Sequence, residues 1–369
     1  MIPVCSPWLL HEDRSAVAEA LERGCLAGGG DYISRFERAW AEICGRRFGV
    51  AVSNGTAALE IAVHALNLPA GSEVILPDFT IISCARAVIA NGLKPVFVDA
   101  DPVTWTMNSD HIADAITSRT SAIMPVHIYG HPVDMPPIMK LAGRHGLAVI
   151  EDAAEAHGAM CHGKNCGSFG EASVFSFYAN KIVTTGEGGM VVFDDEALLS
   201  RCLRYRELGF TPTRRFLSEG PGGNFRFTAM QAALGLSQIS RLSTAIERKR
   251  LIAATYRRHL KPVDELMLPV EMPWAKNVYW MFGVVLNDDA PYSAADVITA
   301  MRNQGIETRP FFLGMHEQPV LQRHLHQDAE SFPVSRKLAR RGLYLPSGLD
   351  LTEDQIVRIS ETLIEQLQK

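Results

Sequence analysis

The sequence predicts an α/β protein: a large domain built on a mostly parallel, mixed sheet flanked by helices, followed by a smaller C-terminal α+β domain. Three observations carry this. From Phe48 onward, short apolar runs alternate with amphipathic stretches of about ten to fifteen residues, the rhythm of strand–helix–strand units. The later runs, at 173–177 and 190–193, follow without intervening helical patterns, so part of the sheet is expected to be antiparallel. Beyond a long helical pattern starting at Thr228 the spacing changes, and 369 residues suit one large core plus a smaller one, divided here at 1–250 and 251–369.

Before Phe48, residues 16–23 read as a helix stopped by Gly24, Gly28-Gly29-Gly30 as a turn, and residues 32–44 as a second helix. The predicted strands are 49–52, 73–76, 95–98, 122–126, 148–150, 173–177 and 190–193. Helices are expected between them at 56–66, 82–91 and 135–145. A single long helix is expected from 228 to about 256, then a strand at 279–286, a helix at 294–304 and a helix at the C-terminus.

Charge and cysteine usage narrow the function classes. Lys plus Arg number 36 against 41 Asp plus Glu, a net charge of −5, which lacks the basic footprint of a general nucleic-acid binder. An anionic ligand would therefore be met locally by a few donors. The start, Met1-Ile2-Pro3-Val4-Cys5-Ser6-Pro7-Trp8, has no basic stretch followed by an apolar run, and no apolar stretch is long enough for a bilayer, so no secretory signal, no membrane partner and a cytoplasmic location are expected. Seven scattered cysteines read as reduced thiols. Cys161 and Cys166, with His157 and His162 beside them, have poor zinc spacing, so no metal is expected.

Ligands of open α/β sheets bind beyond the carboxyl ends of the strands. There the sequence places Ser53-Asn54-Gly55-Thr56, Pro77-Asp78-Phe79-Thr80, His127, Glu151-Asp152 and Tyr178-Ala179-Asn180-Lys181. Asn54-Gly55-Thr56 reads as a turn and helix N-cap or as a phosphate-binding helix N-terminus. Asp152 alone reads as a cap as readily as a functional carboxylate, and Phe79 as core or as a flat platform for a ligand. Lys181 is more pointed. It interrupts the apolar run Val174–Tyr178 and Ile182-Val183, where burial would depress its pKa and free an amine for imine chemistry. An imine-forming lysine, a carboxylate for a ring nitrogen, a phosphate cup and a flat aromatic together form the set that holds pyridoxal 5′-phosphate (PLP).

The residues resemble the fold type I PLP aminotransferases and, more narrowly, the sugar-nucleotide aminotransferases of the DegT type. The resemblance rests on Ser53-Asn54-Gly55-Thr56-Ala57-Ala58-Leu59, Val149-Ile150-Glu151-Asp152-Ala153-Ala154-Glu155-Ala156-His157-Gly158, Gly167-Ser168-Phe169-Gly170, and Phe175-Ser176-Phe177-Tyr178-Ala179-Asn180-Lys181 with Gly186-Glu187-Gly188-Gly189. Val126–Pro132, Trp274–Met281 and Glu307–Phe312 bring it nearest to the branch that forms GDP-perosamine. Where the family often carries Gly-Trp-Ile-Ser, this chain has Gly24-Cys25-Leu26-Ala27-Gly28.

The resemblance implies a transaminase that moves the amino group of L-glutamate to the C4 keto group of a nucleotide-linked 4-keto-6-deoxy sugar, GDP-4-keto-6-deoxy-D-mannose foremost. UDP- or dTDP-linked keto sugars and a non-catalytic PLP-binding regulator remain alternatives. Dehydrating members of the family resemble His at the imine position, so Lys181 argues against that activity. By the same resemblance Lys181 binds the cofactor covalently, Asp152 keeps its ring nitrogen protonated and Phe79 stacks on the ring. Gly55, Thr56 and Ser176 receive the phosphate, and Glu155 sits near the ring hydroxyl. Asn224 reaches the phosphate from a second subunit, which implies a homodimer with shared sites. His157 is placed near the sugar, and Tyr129, Arg309 and His316 in the substrate site.

Overall fold

The structure is a computed structural model and describes residues 1–28, 30–211, 214–324 and 329–368. Its centre is a seven-stranded sheet in the order Phe48–Val52, Gly189–Phe193, Ala172–Ser176, Ala148–Asp152, Thr120–Ile123, Glu73–Pro77, Lys94–Val98. Gly189–Phe193 pairs antiparallel with both of its neighbours, and every other pairing is parallel. The expected mixed sheet is therefore parallel except for one strand.

Alternation along the strands sends side chains to two faces. In Glu73–Pro77, Val74 and Leu76 pack in one core cluster with Ala58, Ile61 and Val88, whereas Ile75 joins Ile138, Leu141 and Ile112 on the other side. Helices Gly55–Ala65 and Ser83–Ala90 cover the first face, Ser109–Ala115 and Met135–His145 the second. A third cluster joins helices Tyr32–Cys44 and Ala229–Ile239 to the rest through Phe36, Trp40, Phe175 and Phe177.

Local chemistry sets the helix ends that matter for the site. Asn54 caps Gly55–Ala65 by accepting the Ala57 N–H at 2.8 Å, and Thr228 and Gln231 form a capping box on Ala229–Ile239. Met135–His145 and Tyr32–Cys44 have the bounds expected, each closed by a glycine in the left-handed conformation, Gly146 and Gly45. Several elements differ from expectation: the helix expected at 16–23 is His11–Glu22, helices Ser109–Ala115 and Glu196–Arg206 have no counterpart among the expected elements, and three more differ for a visible reason. The expected long helix at 228–256 is two, Ala229–Ile239 and Leu242–Leu260, because Arg241 leaves helical geometry to bind Asp13 and the Trp8 carbonyl. The strand expected at 122–126 ends at Ile123, ahead of Pro125, which has no N–H to pair. The strand expected at 279–286 begins at Phe282, because Tyr279 takes a φ of 48°. Gly29, the middle of the expected glycine turn, lies outside the described residues.

A four-stranded antiparallel sheet, Leu266–Met267, Phe282–Leu286, Gly342–Leu345, Arg309–Pro310, packs with helices Ala294–Asn303 and Glu353–Leu367. Helix Leu242–Leu260 links it to the large core: Ala245 and Ile246 belong to the large cluster, Ile252, Tyr256 and Leu260 to the smaller one. The proposed division after residue 250 falls inside this helix. The chain start also sits on the smaller unit, where Ile2 bonds Gly305 and Glu307 through its backbone.

Candidate active site

The carboxyl ends of the parallel strands open into a cavity of about 290 Å³. Strand Phe48–Val52 delivers Asn54, Gly55 and Thr56, and strand Glu73–Pro77 delivers Thr80, Ile81 and Ser83. Val126 follows Thr120–Ile123, Asp152 and Glu155 end or follow Ala148–Asp152, and Ser176 to Lys181 follow Ala172–Ser176. The smaller unit closes the other side with Trp280, Phe312 and Tyr344.

Lys181 stands at the centre, its side chain 9% exposed. Its Nζ lies 3.7 Å from Glu155 Oε1 and 3.6 Å from the centroid of the Trp280 ring. Burial holds the amine below the usual lysine value, opposed by the charges of Glu155 and Asp152. Asp152 is buried at the cavity floor. Its Oδ1 accepts the Ala154 N–H at 3.0 Å and its Oδ2 the Cys84 thiol at 3.2 Å. Burial raises its carboxyl, and those two hydrogen bonds work in the opposite direction. Glu155 is lifted to about 7, first by burial and against the pull of Lys181, and accepts the Tyr129 N–H at 2.7 Å.

The floor is fixed from behind by Glu151. Its Oε1 accepts from His127 Nε2 at 2.8 Å and Gly167 N at 2.7 Å, and its Oε2 from Phe169 N at 2.9 Å and Ser173 Oγ at 2.7 Å. Val133 N–H donates to His127 Nδ1, so the proton of that ring is on Nε2. Among the described residues, His127, Glu151 and Cys166 form one of two His/Cys/carboxylate groups close enough to hold an ion, but all these donors already occupy Glu151. The other group is Asp134, Cys161 and His162, in which His162 Nε2 and Asp134 Oδ1 bond at 2.9 Å.

The cavity suits PLP on three structural grounds. A Cβ on Gly55 would lie 2.8 Å from the Ser176 Cβ, and one on Gly189 would lie 2.3 Å from the Asn54 carbonyl, so bare backbone shapes this corner. That corner is the N-terminus of an 11-residue helix, flanked by the hydroxyls of Thr56 and Ser83, themselves 2.8 Å apart, and by Ser176. Helix dipole and hydroxyl donors there favour a phosphate. Asp152 could meet a ring nitrogen and Lys181 an aldehyde carbon, and Val126 and Ile81 line the cavity as apolar wall.

Of the residues expected at the site, Lys181, Asp152, Glu155, Gly55, Thr56 and Ser176 come together in this cavity. Others do not line it. Phe79 is 1% exposed and packs against Tyr129, Phe311 and Phe312; Ile81, two residues on and 40% exposed, faces the cavity instead. Tyr129 lies in that aromatic layer, backing the cavity residues Phe312, Trp280 and Tyr344, and its N–H donates to Glu155. His157 is buried against Trp40, Phe175 and Phe177, accepts the Val183 N–H, and is pushed down to about 3 by burial, so it is neutral. His316 binds Asp78 at 2.7 Å and joins the smaller unit to the loop after Glu73–Pro77. Arg309 is exposed and paired with Glu307 at 3.0 Å. Asn224 is exposed and bridges Glu207 on the outside of this chain.

Sequence reasoning missed Ile81, Trp280, Phe312, Tyr344 and Cys84, none of which carries a local signal. Asn180, expected at this rim, lines the cavity beside Lys181, and its Oδ1 is buried there without a partner among the described residues. No helix is long and apolar enough to cross a membrane among the described residues.

Comparison with known proteins gives a family. A model of the DegT/DnrJ/EryC1/StrS aminotransferase family matches residues 9–364. The chain is 37% identical over 364 residues to GDP-perosamine synthase of Escherichia coli O157:H7, covering 99% of this chain and 98% of that protein. It is 39% identical over 326 residues to UDP-N-acetyl-3-dehydro-alpha-D-glucosamine 3-aminotransferase of Acidithiobacillus ferrooxidans, covering 88% and 85%. Among solved structures, DesI in the presence of its TDP-sugar product superposes with a TM-score of 0.91 at 31% identity, covering 100% of this chain and 93% of that one.

Proposed function

Because this chain belongs to the DegT/DnrJ/EryC1/StrS aminotransferase family and is a PLP-dependent aminotransferase, we propose that it moves the amino group of L-glutamate to C4 of GDP-4-keto-6-deoxy-D-mannose, giving GDP-perosamine. The observation that carries the chemistry is the buried Lys181 amine set between Glu155 and the Asp152 floor, opposite a helix N-terminus. The choice of sugar is supported by the full-length similarity to GDP-perosamine synthase.

PLP, when bound, supplies an aldehyde carbon that takes up the amino group and a ring that accepts an electron pair. Lys181 would hold it covalently, and Gly55, Thr56 and Ser176 its phosphate. Asp152, whose two hydrogen bonds oppose the rise that burial imposes on its carboxyl, would hold a proton on the ring nitrogen. Lys181 takes the α-proton of glutamate and returns a proton to C4 of the sugar, a task for which burial tunes its amine. Trp280, Phe312 and Tyr344 close the wall on the smaller unit's side and restrict water. Asn224, exposed in one chain, contributes to the phosphate corner of a second chain in a homodimer.

The test is a panel of GDP-, UDP- and dTDP-linked keto sugars with glutamate, read as 2-oxoglutarate formed and aminated sugar recovered. The highest kcat/KM is expected with GDP-4-keto-6-deoxy-D-mannose. A tenfold preference for a UDP- or dTDP-linked sugar overturns this choice and leaves the family assignment standing.

A further inference from the structure

Asp152 is anchored by a group that comes from another segment. Cys84 is the second residue of helix Ser83–Ala90 and is fully buried. Its Sγ lies 3.2 Å from Asp152 Oδ2 and 3.7 Å from Thr80 Oγ1. A thiol has one proton. An ionised carboxylate only accepts, so that proton points to Asp152, and the sulfur is left to accept the Thr80 hydroxyl. Thr80 is itself 1% exposed and lines the cavity. The order of donors is then Thr80 O–H to Cys84 Sγ, and Cys84 S–H to Asp152 Oδ2.

The Ala154 N–H takes the other oxygen, Oδ1. The carboxylate is therefore gripped from two sides, once by its own chain and once by a different helix. Its two oxygens offer about four acceptor positions, so acceptor capacity remains for a ring nitrogen. A carboxylate held on one side only can rotate about its Cβ–Cγ bond and lose that geometry.

We infer that Cys84 is a positioning residue for the cofactor: its thiol, backed by Thr80, fixes the rotamer of Asp152 and favours the carboxylate that meets the pyridine nitrogen. Burial alone raises the Asp152 carboxyl, and the thiol acts against that shift. This inference rests on the PLP-dependent reading of the cavity and adds to it a donor from outside the cavity lining. Cys84 touches no substrate, so its loss acts through Asp152.

The experiment compares the full-length protein with Cys84→Ala, Cys84→Ser and Cys202→Ala. Cys202 is an equally buried thiol in helix Glu196–Arg206 with no contact to Asp152, so it controls for thiol loss as such. PLP affinity is read by titration of intrinsic fluorescence, and the bound cofactor's visible absorption is followed against pH. The thiol is a weak donor, so loss of its hydrogen bond corresponds to about three- to tenfold in affinity and about half to one unit in the pH midpoint. Cys84→Ala is expected to show both changes, Cys84→Ser to restore wild-type values within about twofold, and Cys202→Ala to show neither. A wild-type spectrum and affinity in Cys84→Ala overturn the inference. So does a Cys84→Ser variant as impaired as Cys84→Ala, which would make volume the cause. Failure of the wild-type protein itself to bind PLP would instead overturn the reading of the cavity.

Discussion

Replacing Glu151 by Gln tests whether the active-site floor is held by one buried carboxylate. The substitution keeps the shape and exchanges one acceptor oxygen for an NH2 group. In the native protein each oxygen accepts two donors, one of them a backbone N–H, from Gly167 or Phe169. Whichever way the amide sits, its NH2 faces one of those N–H groups, and neither can turn into an acceptor. His127 cannot adapt freely either, since Val133 already donates to its Nδ1. One unsatisfied buried N–H and two lost charge-assisted bonds amount to about 3–5 kcal/mol. That is a large share of a total stability of about 5–15 kcal/mol. Urea unfolding of the cofactor-free variant should show the loss as a lower midpoint at unchanged slope.

The pH dependence provides a second signature. Burial works against the Glu151 charge, but the His127 bond and the backbone donors outweigh it and hold the carboxyl below the usual glutamate range. A folded-state value below the unfolded one gives stability that is complete above about pH 4.5 and is lost as pH falls through the folded value. The Gln variant should lack this part of the acid slope. A loss under about 1 kcal/mol, or an unchanged acid slope, would refute the account of Glu151.

Asp152→Ala should retain phosphate-anchored PLP yet lower kcat at least about a hundredfold, measured by 2-oxoglutarate release, because nothing then keeps the ring nitrogen charged. Gly55→Val places a Cβ 2.8 Å from that of Ser176 and should weaken PLP binding about tenfold, read by fluorescence titration. Glu155→Gln removes a negative charge 3.7 Å from Lys181. The Lys181 amine should then deprotonate at lower pH, moving the acid limb of kcat/KM down by about one unit. An unmoved limb would detach Lys181 from that titration.

Much of this was legible because the sheet is buried on both sides. Its strands are short apolar runs, and the polar residues directly after them are those that reach the cavity, as with Asp152 and Lys181. What stayed illegible depends on layers added by distant segments. Phe79 and Ile81 follow the same strand, and only the Tyr129–Phe311–Phe312 layer decides that Phe79 is core and Ile81 faces the cavity. Cys84 looks like a small apolar helix residue until the fold brings it to Asp152. The apolar period continues through Ser240-Arg241, so the helix break there is invisible without Asp13, 228 positions earlier.

The most direct measurement of the central claim is chemical. The protein is loaded with PLP, reduced with borohydride, digested and mapped by mass spectrometry. The account predicts a pyridoxyl adduct on Lys181, absent from Lys181→Ala together with turnover. An adduct on a different lysine, or wild-type transamination by Lys181→Ala, would contradict it.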